Sequence, residues 1–329
     1  MRSFKMIKKA ALFFLILLCL MGLLSMGLNR IVNGDETVVQ GRNKSEVRIE
    51  NEPENTIDIV MVGDSLCYSS FSPMQLWNSH GITSVLGSQA GQNIQSAFYM
   101  LKTAFRKQRP KLVILETNTV FNVQEGAGGV KNAMTAFARY LFPAFTYHDV
   151  WKSLVAGKQY PEENYKGFPF QEGINAYEGG DYMNKTEEKE EISSVVYIYL
   201  EKIRTLCEKK GAKLLLVSAP SPVNYNYKKH NALDAYARQK KLSYLDMNLL
   251  LDELGIDWKQ DTFDKGDHLN LLGAAKTTAC LGKYLKENYD LPDHRSDGRY
   301  AGWNTLAQEY SEKAAQKTEN MKKQITVSS

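Results

Sequence analysis

Cysteine is scarce in this chain: four of 329 residues, with Cys19 inside an apolar run and Cys67, Cys207 and Cys280 far apart outside it. An odd number at such wide spacing supports neither a disulfide framework nor a zinc site. Histidine is also sparse, and none of the five falls into a His/Cys/carboxylate cluster with metal-ligand spacing, so no metal and no cofactor is expected. A glycine-rich phosphate fingerprint and a Walker lysine are both absent, which argues against a nucleotide-binding domain using Gly63-Asp64-Ser65 as a phosphate turn. Basic excess is missing too, despite a formal net charge of +4. Arg2, Lys5, Lys8, Lys9 and Arg30 face no acid within the first thirty residues, and removing those five charges leaves −1 for the remainder. Nucleic acid is therefore not an expected partner. No internal repeat is apparent.

What is present begins with a hydrophobic run. Ala10 to Leu28 contains no charged residue, and its 19 positions meet the minimum for crossing a bilayer as a helix. The basic residues before it favour a cytoplasmic N-terminus, placing the rest outside the cell membrane. A cleaved signal peptide shares the basic start, but this run is long for a signal core and no small-x-small site follows it. The expected organisation is a cytoplasmic start and single-pass anchor over 1–30 and a polar stalk over 31–55. An α/β domain over 56–290 and a polar C-terminal tail over 291–329 follow, the tail carrying a surface helix near 304–321.

Within the domain, apolar runs predict strands at 57–62, 82–86, 111–116, 213–218 and 242–246, with helices at 92–107, 193–209, 230–240 and 271–287 between and after them. Short strands alternating with helices predict a parallel sheet covered on both faces. Residues 123–192 break the rhythm with aromatics, glycines and the acidic stretch 187–191, and read as an insertion that caps or lines a cleft, or as a satellite apolar cluster.

Two segments carry chemistry. Gly63-Asp64-Ser65-Leu66 follows the first strand, where a serine leaves the sheet with its hydroxyl exposed. Some 200 residues later comes Phe263-Asp264-Lys265-Gly266-Asp267-His268-Leu269-Asn270, ahead of the final helical pattern. A serine attacks acyl carbon when an imidazole takes its proton and a carboxylate fixes the ring's tautomer. Ser65 is the candidate nucleophile and His268 the candidate base. Asp264 is the favoured carboxylate, because a turn at Lys265-Gly266 could swing it back to the ring, and Asp267 is the alternative. Oxyanion donors are expected from the Ser65 N–H, from the loop carrying Gly87, Gly91 and Gln92, and from Asn118. In an open parallel sheet those segments converge beyond the C-terminal strand ends.

Gly-Asp-Ser-Leu after the first strand, a glycine loop after the second, Asn118 after the third and His268 in a terminal Asp/His block resemble the SGNH (GDSL-type) hydrolase superfamily over about residues 56–288. The resemblance implies a flavodoxin-like three-layer sandwich. Ser65 matches its block I serine and His268 its block V histidine. Glu-Thr-Asn at 116–118 stands in place of Gly-x-Asn-Asp, Gly91 or Gly87 is a loose match to block II, and the Asp-to-His spacing departs from Asp-x-x-His. The anchor and Asp267-His268-Leu269-Asn270-x-x-Gly273-Ala274 resemble a narrower envelope branch, similar to the SGNH proteins of alginate acetylation and teichoic acid D-alanylation. That likeness implies an acyl donor, an envelope polysaccharide acceptor and a membrane-bound O-acyltransferase as partners. It also suggests substrate contact for His148, within Tyr147-His148-Asp149-Val150-Trp151.

The plainer alternatives are a helix N-cap at Gly63-Asp64-Ser65, a structural His148 among aromatics, and Asn118 as an ordinary turn residue. His80, His230 and His294 are expected at the surface. As a whole, the chain could also be a non-catalytic SGNH-like scaffold that holds polymer or partner proteins at the membrane.

Overall fold

The computed structural model describes residues 2–122 and 126–328. Its five strands are β1 (Ile59–Gly63), β2 (Ser84–Ser88), β3 (Leu112–Glu116), β4 (Lys213–Ser218) and β5 (Ser243–Asp246), all parallel in the order β2-β1-β3-β4-β5. This is the flavodoxin-like arrangement, with its switch point where β1 lies between β2 and β3. Every residue of β1, β2 and β3 is buried, as expected for parallel strands covered on both faces. One layer contains the helices Lys44–Asn51, Ile94–Lys107 and Ser194–Lys210; the other contains Ser65–Ser70, Pro73–His80 and Leu271–Asn288.

A single helix runs from Arg2 to Gly34, and its apolar part is long enough to cross a membrane. The polar stretch 31–55, expected as a stalk, is instead folded onto the domain. The helix Lys44–Asn51 buries Val47 and Ile49, and Glu50 accepts hydrogen bonds from Asn29 and Asn33 at 3.2 and 3.1 Å. Its buried stripe is masked in the sequence because Lys44 lies in it beside Val47 and Ile49. The C-terminal stretch differs likewise from a polar tail. A helix over Ala301–Ser328 buries Trp303, Ala307, Tyr310 and Met321, with Trp303 against Trp77 and Tyr310 stacked on Phe170.

His230 and His294 are not surface residues. Each ring is half-buried against a carboxylate, His230 Nδ1 at 2.7 Å from Asp246 and His294 Nε2 at 2.9 Å from Asp58. A carboxylate partner satisfies the ring nitrogen that burial would otherwise orphan. His80 is half-buried as well, its ring pressed against Gly282, and burial lowers its pKa.

Glu46 gives the fold a pH dependence. Burial, followed by the charge of Glu50, pushes its carboxyl up from 4.5 to about 7, although Thr103 donates to it at 3.2 Å. The folded state therefore holds this proton more tightly than the unfolded chain does. The resulting stabilisation is complete below about pH 4.5 and is lost as pH rises through about 7. Glu46→Gln is expected to raise unfolding free energy at pH 8 by about 2 kcal/mol and to change little at pH 4. Urea unfolding at both pH values checks this, and an equal effect at the two would refute it.

Candidate active site

β1 ends at Gly63 because nothing larger fits there. A Cβ at this position would lie 2.7 Å from the Cβ atoms of both Cys67 and Glu116, neither of which can swing away. The close approach brings the start of the next helix hard against β3. Asp64 then caps the helix Ser65–Ser70, its Oδ1 accepting from the Leu66 N–H at 3.0 Å. Ser65 occupies the first turn, half-buried. The alternative reading of Ser65 as the N-cap does not hold: Asp64 takes the cap, which leaves the Ser65 hydroxyl uncommitted to capping. That hydroxyl instead meets the Tyr68 side chain one turn later.

Beneath the serine the floor is acidic. Asp64 Oδ2 accepts from Asn118 Nδ2 at 2.7 Å, bridging the ends of β1 and β3. Glu116 is fully buried and accepts from the Asn118 N–H at 3.1 and 3.2 Å. Burial and then the neighbouring Asp64 charge hold Glu116 well above the usual carboxylate range, and burial raises Asp64 as well.

The histidine sits on a compact loop. Thr262 and Leu269 form an isolated antiparallel bridge, and Lys265 and Gly266 both take positive φ, 62° and 88°, to turn the chain within it. That turn brings Asp264 back onto His268: Oδ2 lies 2.6 Å from Nδ1, and Oδ1 accepts from the His268 N–H at 2.6 Å. Asp267 Oδ1 is 3.7 Å from Nδ1 and is engaged instead by Asn224 Nδ2 at 2.6 Å. The Ser221 hydroxyl donates to the Gly266 and Asp267 carbonyls at 3.0 and 2.8 Å, clamping the loop to the end of β4. Asn270 caps the following helix and donates to the carbonyls of Gly173 and Gln260. Asp264, Asp267 and His268 each bring one ligand-type atom within 4.8 Å of the others. The three are the residues already nominated from the Asp264–His268 segment, and their grouping follows from the orienting contact of Asp264 on the ring.

Helix docking joins the two halves. Thr277 donates to the Ser70 carbonyl at 2.6 Å, Thr278 accepts from the Ser72 N–H at 2.9 Å, and Gln75 donates to the Ala275 carbonyl at 2.8 Å. The helix after His268 thus lies against the helix that carries Ser65. Across the crevice, the His268 ring is within electrostatic reach of Asp64, and Tyr68 feels Asp264 and Asp267 as well as Ser65. Among the described residues, His268 Nε2 is buried without a hydrogen-bond partner, a geometry that unliganded catalytic histidines often show.

The remaining predicted residues divide. Asn118 belongs to the crevice, but one of its two amide hydrogens is committed to Asp64. Gly91 lies exposed on a turn at φ +62°. Gly87 is a buried strand position where a Cβ would meet Met100 and Ile49 at under 3 Å. Gln92 is buried and donates to the Gly87 carbonyl at 2.9 Å. His148 is elsewhere: it is exposed, its Nδ1 is 3.3 Å from the Phe145 carbonyl, and it lines a separate cavity with Val38, Tyr147 and Asp149. The sequence reading missed Tyr68, Ser221 and Asn224, and named Glu116 only as part of the loop that carries Asn118. Only Tyr68 carried a usable signal, lying three residues after the serine on one helix face.

Residues 123–125 of the insertion lie outside the described ones, and its later part packs against the loop that carries His268. Its Gln171 and Asn175 bond to the His268 segment through the Leu271 N–H, the Thr262 carbonyl and the Lys265 N–H. A cavity of about 520 Å³ beside Tyr68 is walled by Phe168, Phe170 and Gln171 from the insertion and by Lys44, Arg48 and Ser88.

The chain matches no protein-family profile and no curated protein. Among solved structures it is similar to a protein of Bacteroides fragilis NCTC 9343 described provisionally as an acylhydrolase. The TM-score is 0.39 and the identity 11%, over 74% of this chain and 94% of that one. A GDSL-like lipase from Bacteroides thetaiotaomicron VPI-5482 gives 0.35 and 11%, over 70% and 87%. TesA gives 0.37 and 15%, over 70% and 98%. At such scores these likenesses carry none of the chemistry below, which rests on the site itself.

Proposed function

We propose that the protein is a membrane-anchored serine acyltransferase or esterase of the SGNH type, its domain on the extracytoplasmic side. It adds or removes O-acyl groups on a cell-envelope polysaccharide or teichoic acid. The observation that carries this reading is the Asp264–His268 pair at 2.6 Å, with a buried, unpartnered Nε2 on a ring whose charge reaches Asp64, the residue before Ser65. Ser65 Oγ attacks the acyl carbon while Nε2 takes its proton. Nε2 then returns the proton to the departing oxygen, leaving an ester on Ser65. Water or a polymer hydroxyl, deprotonated by the same nitrogen, releases the acyl group. The Ser65 N–H and the second Asn118 amide hydrogen serve as oxyanion donors in this reading.

The aromatic and polar wall of the 520 Å³ cavity suits a sugar unit as acceptor. The basic flank Arg2, Lys5, Lys8 and Lys9 supports the orientation. An acyl donor handed over by a membrane-bound O-acyltransferase fits an anchored enzyme. The test is labelling with a fluorophosphonate. A mass adduct on the peptide containing Ser65, absent in Ser65→Ala, is expected. Labelling at the same level in that variant would remove Ser65 as nucleophile and favour the scaffold alternative, as would no labelling of the wild type.

A further inference from the structure

The insertion leaves an apolar surface at the foot of the N-terminal helix. On the helix Ala127–Leu141, Met134, Phe137 and Leu141 recur at helical spacing and remain 48–68% exposed. Phe145 continues the surface, its ring against Phe142, and Trp151 and Val155 on the helix Val150–Ala156 extend it at 56% and 80% exposed. Scattered apolar residues on a surface need no explanation, but a contiguous set marks a contact.

Position says which contact. Ser25 lies inside the uncharged run, three residues before its end at Leu28, and its hydroxyl accepts from the Ala144 N–H at 3.3 Å. Leu28 and Val32 pack in one cluster with Tyr147 and Val150. Nineteen helical residues span about 28 Å, close to the hydrocarbon thickness of about 30 Å. The helix Ala144–Tyr147 therefore sits where the hydrocarbon gives way to headgroups. Charge agrees with position. Residues 126–158 hold Lys131, Arg139, Lys152 and Lys158 against one acid, Asp149, in an ectodomain that is otherwise net negative. Lys152 is moreover ion-paired to that acid.

We propose that these helices form a platform lying in the outer headgroup layer of the bilayer that the N-terminal helix spans, with the apolar residues inserted and the lysines and arginine at anionic phosphates. The proposal rests on the anchor reading above. Together with the docked helix Lys44–Asn51 it fixes the height and tilt of the crevice over the membrane, where a tethered domain would tumble.

The test uses the full chain in phosphatidylcholine/phosphatidylglycerol vesicles containing dibrominated phosphatidylcholine, with carbonate extraction run in parallel. Carbonate resistance reports the anchor. Bromine quenching that is mostly lost in Trp151→Phe, and reduced in the exposed double variant M134E/F137E without loss of carbonate resistance, supports the platform. A carbonate-resistant chain whose Trp151 emission is untouched by bromine overturns the platform and leaves the anchor standing. Quenching that needs a second membrane protein overturns the lipid assignment in favour of a protein partner. Release by carbonate overturns the anchor and the platform with it.

Discussion

Ser65→Ala is expected to lower turnover of an acyl ester by at least about 10³-fold, roughly 4 kcal/mol of transition-state stabilisation, while leaving the unfolding midpoint in place. The two halves of that expectation have separate origins. Ser65 is half-buried, leaves capping to Asp64 and meets the Tyr68 side chain, so loss of its hydroxyl opens no cavity in the core. Without it, however, no covalent acyl intermediate forms, and His268 has no proton to take. His268→Ala should reach a similar floor, and the double variant should be little worse than either single one, because residues acting as one unit are not additive. Initial rates on an aryl acetate, with thermal melts of the same preparations, decide the matter. Full turnover in either variant would end the serine mechanism. A matching fall in melting temperature would make these side chains structural instead.

The sheet was legible because parallel strands buried on both faces must be written as short apolar runs. Val60-Met61-Val62 and Leu112-Val113-Ile114-Leu115 read as strands from sequence and pair as strands in the fold. The helices of the α/β layers were legible for the related reason that Pro110, Gly211 and Pro220 punctuate them. What escaped was structure specified by few residues. Lys44–Asn51 buries only two apolar residues, Val47 and Ile49, beside Lys44, too little apolar periodicity to announce a helix. The helix near 304–321 was legible and spans Ala301–Ser328, but its docking was not, because Trp303 and Tyr310 are spaced among charges.

At the site, sequence could nominate Ser65 and His268 from their types and places, since a nucleophile and a base are recognisable chemistry. It could not foresee the second tier. Ser221 and Asn224 hold the loop through its carbonyls and through Asp267, contacts that depend on where β4 ends in space. Nor could it foresee that Asn118 spends one hydrogen on Asp64 or that Glu116, beneath both, lies in a fully buried floor. His148 shows the reverse error. A residue resembling a substrate contact by its neighbours stands instead beside the foot of the N-terminal helix.

The choice between Asp264 and Asp267 carries the second large effect. Asp264 grips the imidazole and its backbone with both oxygens at 2.6 Å, so it fixes ring orientation and tautomer together. Asp267 is 3.7 Å from the same nitrogen, and its near oxygen is bound by Asn224. In Asp264→Asn an amide can turn its NH₂ toward Nδ1, which places the ring proton on Nε2, the atom that must be bare to receive the serine's. Errors of tautomer cost on the order of 10⁴-fold in kcat in triad enzymes, and a loss of that scale with KM little changed is expected here. Asp267→Asn keeps an oxygen for Asn224 and leaves the ring alone, so a loss within about tenfold is expected. Measuring kcat and KM for the pair separates the roles. Were Asp267→Asn the more damaging of the two, the orienting role would belong to the residue adjoining the histidine, and the Lys265-Gly266 turn would serve the fold alone.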